Sequence, residues 1–118
     1  MKRVLFLSLM LLFGIALNAQ EKDLELKGDL IEATLYHDSG EVAQKGAYTH
    51  DGELEGKWVS YDRNGEITAI AFYDEGEKVG TWTFYQGTTM KKVTYRDSRI
   101  AKVETWENVG TRIVSNKP

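Results

Sequence analysis

Gly56-Lys57-Trp58-Val59-Ser60-Tyr61-Asp62-Arg63-Asn64-Gly65, continued by Ile67 to Asp74 and closed by Glu75-Gly76-Glu77-Lys78-Val79-Gly80, decides the fold of this chain. Asp62-Arg63-Asn64-Gly65 carries hairpin-turn chemistry, because Asn and Gly accept the positive φ that such turns need. On either side lie short runs rich in Val, Ile, Thr, Tyr, Phe and Trp. Ile67, Ala69, Ala71 and Tyr73 alternate with Thr68, Ile70 and Phe72, the period of a strand. Trp58 and Tyr61 stand three apart, so on one strand they face opposite ways.

Outward from this stretch the same unit recurs. Trp58, Trp82 and Trp106 are spaced by 24 residues, and Tyr36, Tyr61 and Tyr85 by 25 and 24. Gly40 and Gly65 lie 25 apart; Gly52 and Gly76, Gly56 and Gly80, and Tyr48 and Phe72 each lie 24 apart. A sustained period of this length is a repeat architecture. Each unit reads as one hairpin, with a tight turn at Asp38-Ser39-Gly40 or Asp62 to Gly65 and a looser one at Asp51 to Gly56 or Glu75 to Gly80. The spacing predicts an all-β, antiparallel meander sheet of about seven strands, near 30–37, 41–49, 57–62, 66–74, 81–86, 90–96 and 100–107. The β-repeat domain spans 30–107. Residues 20–29 and 108–118 lack pattern and read as flexible ends. Equivalent positions two strands apart should build a Trp row on one face and a Tyr row on the other, about 10 Å between members.

The repeat resembles the MORN-repeat-variant proteins, including the toxin–antitoxin-type antitoxin group. Gly56, Trp58, Tyr61, Gly65, Tyr73, Gly76 and Gly80 fit that family's unit position for position, and Gly80, Trp82 and Tyr85 open the next. The likeness covers about residues 33–106. It weakens in the third unit, where Thr89, Ile100 and Glu104 stand at the glycine positions. It implies an antiparallel hairpin array used for interaction or scaffolding, with phospholipid contact a further property suggested for such repeats. It implies no reaction.

The first 19 residues read as a secretory signal. Lys2-Arg3 precede an apolar run from Val4 to Leu17, and Ala19 supplies a small residue before the cut. About 21 Å of helix from such a run is too short for the ~30 Å hydrocarbon core of a membrane. The expectation is an exported protein, periplasmic or secreted, with cleavage near Ala19. The leader end Leu17-Asn18-Ala19-Gln20 also resembles small exported proteins of Bacteroidota-like bacteria. Removing the first 19 of 118 residues leaves 99 and takes away Lys2 and Arg3. Then 13 basic side chains face 18 acidic ones, and the net charge moves from −3 to −5. An acidic chain argues against nucleic-acid binding. The absence of cysteine excludes disulfides, thiolate metal sites and thiol nucleophiles.

No catalytic, cofactor-binding or metal-binding constellation emerges. His37 and His50, the only histidines, sit in or beside turns. Asp62 to Glu66 opens like a calcium loop but lacks the spaced acidic ligands that would follow. No serine lies in a nucleophile elbow, and there is no phosphate-binding glycine loop. The chain is therefore read as a non-enzyme. Residues 20–66 carry 12 acidic and 5 basic groups, whereas 67–118 carry 6 and 8. The interaction surface expected from these patterns is Trp58, Tyr61, Trp82, Tyr85 and Tyr95, with Lys91, Lys92, Arg96 and Arg99 as its basic part. The expected partner is another envelope or secreted protein; a membrane surface or glycan is the alternative. Open sheet edges also make a homodimer by strand pairing available.

Overall fold

The computed structural model describes residues 21–107; the segment expected to be a signal and the expected flexible end at 108–118 lie outside the described residues. The strands are β1 (Lys22–Lys27), β2 (Leu30–Tyr36), β3 (Val42–Thr49), β4 (Leu54–Tyr61), β5 (Ile67–Asp74), β6 (Glu77–Lys78), β7 (Gly80–Gln86), β8 (Thr89–Arg96) and β9 (Arg99–Trp106). They form one antiparallel meander in the order β1-β2-β3-β4-β5-β7-β8-β9, with the two-residue β6 pairing β5. The seven expected strands are all present. β4 begins three residues earlier than expected, because Gly56 (φ 73°) sits within the strand and does not close a turn.

The segment read as a flexible N-terminal end is corrected: residues 22–27 form an eighth strand on the meander path. β1 pairs β2 over six positions, from Lys22 opposite Leu35 to Lys27 opposite Leu30. Gly28, at φ 62°, makes the short reversal, and the Tyr36 hydroxyl donates to Asp23 Oδ2 at 2.7 Å. That bond to the carboxylate raises the Tyr36 phenol above its ordinary pKa.

Turn chemistry holds at three sites in one geometry. The N–H of His37, Thr49 and Asp62 donates to the carbonyl four residues on, at Glu41, Glu53 and Glu66. Gly40, Gly52 and Gly65 donate back to the same three residues, and all three glycines have positive φ. The turn at 49–53 is thus as tight as the other two. Neighbouring units join at this rim with the period of the repeat: His37 Nε2 meets the Tyr61 carbonyl at 3.0 Å, and Arg63 Nη1 donates to Ser39 Oγ at 3.2 Å.

One face of the sheet is the core. The register puts Ala33, Gly46, Trp58, Ala71, Trp82 and Val93 on this face. No helix covers it among the described residues, so the two indoles must do so. Trp58 is 0% and Trp82 3% exposed. Each ring leans over the strand before it: Trp58 Nε1 donates to the Ala47 carbonyl and Trp82 Nε1 to the Phe72 carbonyl, both at 3.0 Å. Each meets a tyrosine edge-on, Tyr48 at 5.1 Å and Tyr73 at 5.2 Å between centroids. Tyr73, and not Phe72, is therefore the counterpart of Tyr48. Small residues admit the rings. A Cβ on Gly46 would fall 2.0 Å from Trp58 Cδ2.

Burial pushes the Tyr48 and Tyr73 phenols above the usual 10.0. The folded chain thus holds protons that the unfolded chain releases. Their stabilisation is complete below about pH 10 and is lost as pH rises past it. Thermal stability is expected to hold to about pH 9 and fall above pH 10. The Tyr73 hydroxyl finds no hydrogen-bond partner among the described residues. Tyr73→Phe should therefore raise neutral stability by about 1 kcal/mol and flatten the alkaline fall. Melting curves from pH 7 to 11 check this; parallel curves for the two chains would refute the assignment.

Candidate functional site

Alternation along each strand settles which expected surface residues a partner could reach. Trp58 and Trp82 are corrected: both lie in the core and present nothing to a partner. Tyr95 also belongs to the core face. It is half-buried, 4.9 Å from Trp82 between ring centroids, with Lys78 Nζ above both rings at 5.3 and 5.5 Å. Tyr61 and Tyr85 occupy the opposite face, as the three-residue spacing predicts. Tyr61 lines a shallow open cleft of about 390 Å³ with Glu32, Thr34, Lys45, Lys57 and Val59. Its mixed charges define no single ligand type. Tyr85 lies elsewhere on that face, on β7, so the two tyrosines do not share a site.

The basic set divides as well. Lys91 pairs Phe84 and Thr105 on the core face, whereas Lys92 pairs Thr83 and Glu104 on the other. Arg96 and Arg99 stand directly opposite one another across the Asp97-Ser98 turn, both exposed. Like charges directly opposite destabilise a strand pair. Neither guanidinium makes a salt bridge to a described acidic side chain.

What the fold does assemble is a row across β7, β8 and β9: Tyr85 opposite Met90, and Met90 opposite Trp106. Trp106 is 41% exposed, and Lys92 Nζ lies 5.7 Å from its ring centroid. Lys92, Arg96, Arg99 and Lys102 share this face. The result is an open apolar strip beside four cations and one carboxylate, Glu104, which pairs Lys102 at 3.4 Å, at the C-terminal end of the sheet. The expectation that Trp106 would join the Trp row is corrected here. The position in register with Trp82 on β9 is Val103, opposite Val93. Trp106 comes three residues later and so faces away. The reversals at Gly87-Thr88 and Asp97-Ser98 are two-residue turns, which shortens the last unit relative to the 24-residue spacing of the tryptophans. Met90 and Trp106 were missed as surface residues, because only the register aligns them with Tyr85.

His37 is engaged at a turn carbonyl, and both Asn64 N and Glu66 N donate to Asp62 Oδ1 at 2.9 Å, which fixes that carboxylate in its turn. Among the described residues no three His, Asp or Glu side chains gather as a metal site. Comparison with protein-family models, curated proteins and solved structures finds no match for this chain.

Proposed function

We propose that this chain is an exported, non-enzymatic β-repeat module of the MORN-variant type, which binds another envelope or secreted protein through the outer face of its C-terminal strands. The observation that carries this reading is the division of aromatics. Trp58 and Trp82 are consumed by the core, while Tyr85, Met90 and Trp106 line up on the other face beside cations. Exposed aromatic and Arg side chains are the residues that dominate protein interfaces. The leader and the absence of a catalytic constellation in the sequence support export and a binding role.

A second reading has its own observation. Arg96 and Arg99 face each other without an acidic partner among the described residues, and Lys92 and Lys102, the latter paired with Glu104, lie on the same face. That arrangement suits an anionic lipid surface or an acidic glycan.

The test captures partners from envelope extract with the wild-type chain and with Trp106→Ser, whose exposed ring can be removed with little cost to folding. Vesicles with and without anionic lipid run in parallel. A protein retained at moderate salt and lost with Trp106→Ser is the expected result. Binding only to anionic vesicles, weakening as salt rises, would overturn the first reading in favour of the second.

A further inference from the structure

β1 and β9 are the two edges of the meander, each paired on one side only among the described residues. β9 carries three of the five exposed large apolar side chains: Ile100, Val103 and Trp106, at 61%, 52% and 41%. Unpaired backbone next to exposed apolar side chains is a template for another strand. We propose that the partner of this edge is β9 of a second copy of the chain, paired antiparallel about a two-fold axis at Val103.

Charge selects this arrangement and its register. In an antiparallel pair, directly opposite residues share a face. A two-fold at Val103 sets Val103 against its copy, and Lys102 against the Glu104 of the other chain, twice. A shift of one step toward the N-terminus sets Lys102 against Lys102. A shift the other way sets Glu104 against Glu104. Only the central register brings opposite charges together on both sides. The bulge at Ala101, where Ile100 pairs Tyr95 but Lys102 pairs Thr94, ends the regular ladder and limits slippage toward the N-terminus.

The same reasoning disfavours head-to-tail growth. Glu25-Leu26-Lys27 on β1 runs in the opposite charge order to Lys102-Val103-Glu104 on β9. Antiparallel pairing with Leu26 opposite Val103 would place Lys27 against Lys102 and Glu25 against Glu104. With the apolar centres Leu26 and Val103 aligned, each edge is thus complementary to itself and repels the other. Two β1 strands centred on Leu26 also match in charge, but Leu24 then faces Gly28 and the contact runs off the strand end. The β9 pair is centred within its strand, over Lys102 to Glu104, and the edge carries Ile100, Val103 and Trp106 as apolar cover. An isologous contact of this kind closes at two copies. A single strand pair buries less than a standard interface of about 1,600 Å², which places the contact among the small, weak associations.

The chain has no cysteine, so single substitutions report contacts without background. The purified protein is examined by sedimentation from about 1 µM to 1 mM, a span that reaches weak association. A dimer is expected. Val103→Cys should cross-link on mild oxidation and Leu26→Cys should not. Glu104→Lys, at an exposed edge, should keep its circular dichroism and weaken the dimer on the order of tenfold or more, by replacing two attractive pairs with two repulsive ones. Combining Lys102→Glu with Glu104→Lys reverses the order of charges, retains self-complementarity and should restore dimerisation. A monomer across the whole range, cross-linking at position 26 and not 103, or a Glu104→Lys dimer of unchanged affinity would each overturn the proposal. So would dimer loss that the paired exchange fails to rescue.

Discussion

Trp58→Ala is expected to cost about 3–5 kcal/mol of folding stability, the range for truncating a large, fully buried aromatic. The indole is 0% exposed, packs edge-on with Tyr48, and donates its N–H to the Ala47 carbonyl. Truncation therefore leaves a cavity and removes a hydrogen bond together. Small domains have little stability in reserve, on a general scale of about 5–15 kcal/mol. Trp106→Ala is the control. It stands at the same position of the 24-residue spacing, yet its ring is exposed, so it should cost less than about 1 kcal/mol. Urea unfolding followed by circular dichroism reads both. With a urea m-value of about 1–3 kcal/mol per molar, the Trp58 variant should lose more than about 1 M in midpoint. Equal shifts for the two variants would contradict the assignment of the core face.

Gly46→Ala should destabilise the chain about as severely as truncating Trp58, by about 3 kcal/mol or more. Its Cβ would lie 2.0, 2.2 and 2.5 Å from three atoms of the Trp58 indole. Strand β3 is held on both sides, by β2 and β4, so the backbone has little room to retreat. The ring must leave its place, which breaks the bond to Ala47. The decisive measurement is the double variant. Once Trp58 is alanine, Gly46→Ala should cost little, giving a coupling of about 2 kcal/mol or more between the sites. Simple additivity would show that Gly46 serves the backbone and not the ring.

Sequence alone made the hairpins legible, because turn chemistry is local. Asp38-Ser39-Gly40 and Asp62 to Gly65 announce their own geometry. The opposed directions of Trp58 and Tyr61 follow from counting along one strand. The site was harder, because a face assignment between strands depends on the length of every turn between them. Gly87-Thr88 and Asp97-Ser98 shorten the path, and so Trp106 changes face although its spacing from Trp82 is regular. Buried and exposed rings also look alike as letters. Trp58 and Trp82 read as a docking surface until the small residues beneath them, Gly46 and Ala71, were placed in register. β1 has only Leu24 and Leu26 as apolar residues, a signal too short to mark a strand.

Eight strands on one meander path have a consequence for how such a chain can lengthen. The start of β1 and the end of β9 leave from the same rim, the one that holds the turns at 37–41, 62–66 and 87–88. Insertion of a whole hairpin adds two strands, and both exits remain where they were. Insertion of a single strand would send the C-terminal exit to the opposite rim and invert the direction of the last edge. Whatever is tethered at either end thus tolerates growth by complete hairpins only, since two strands are the smallest step that preserves the attachment geometry.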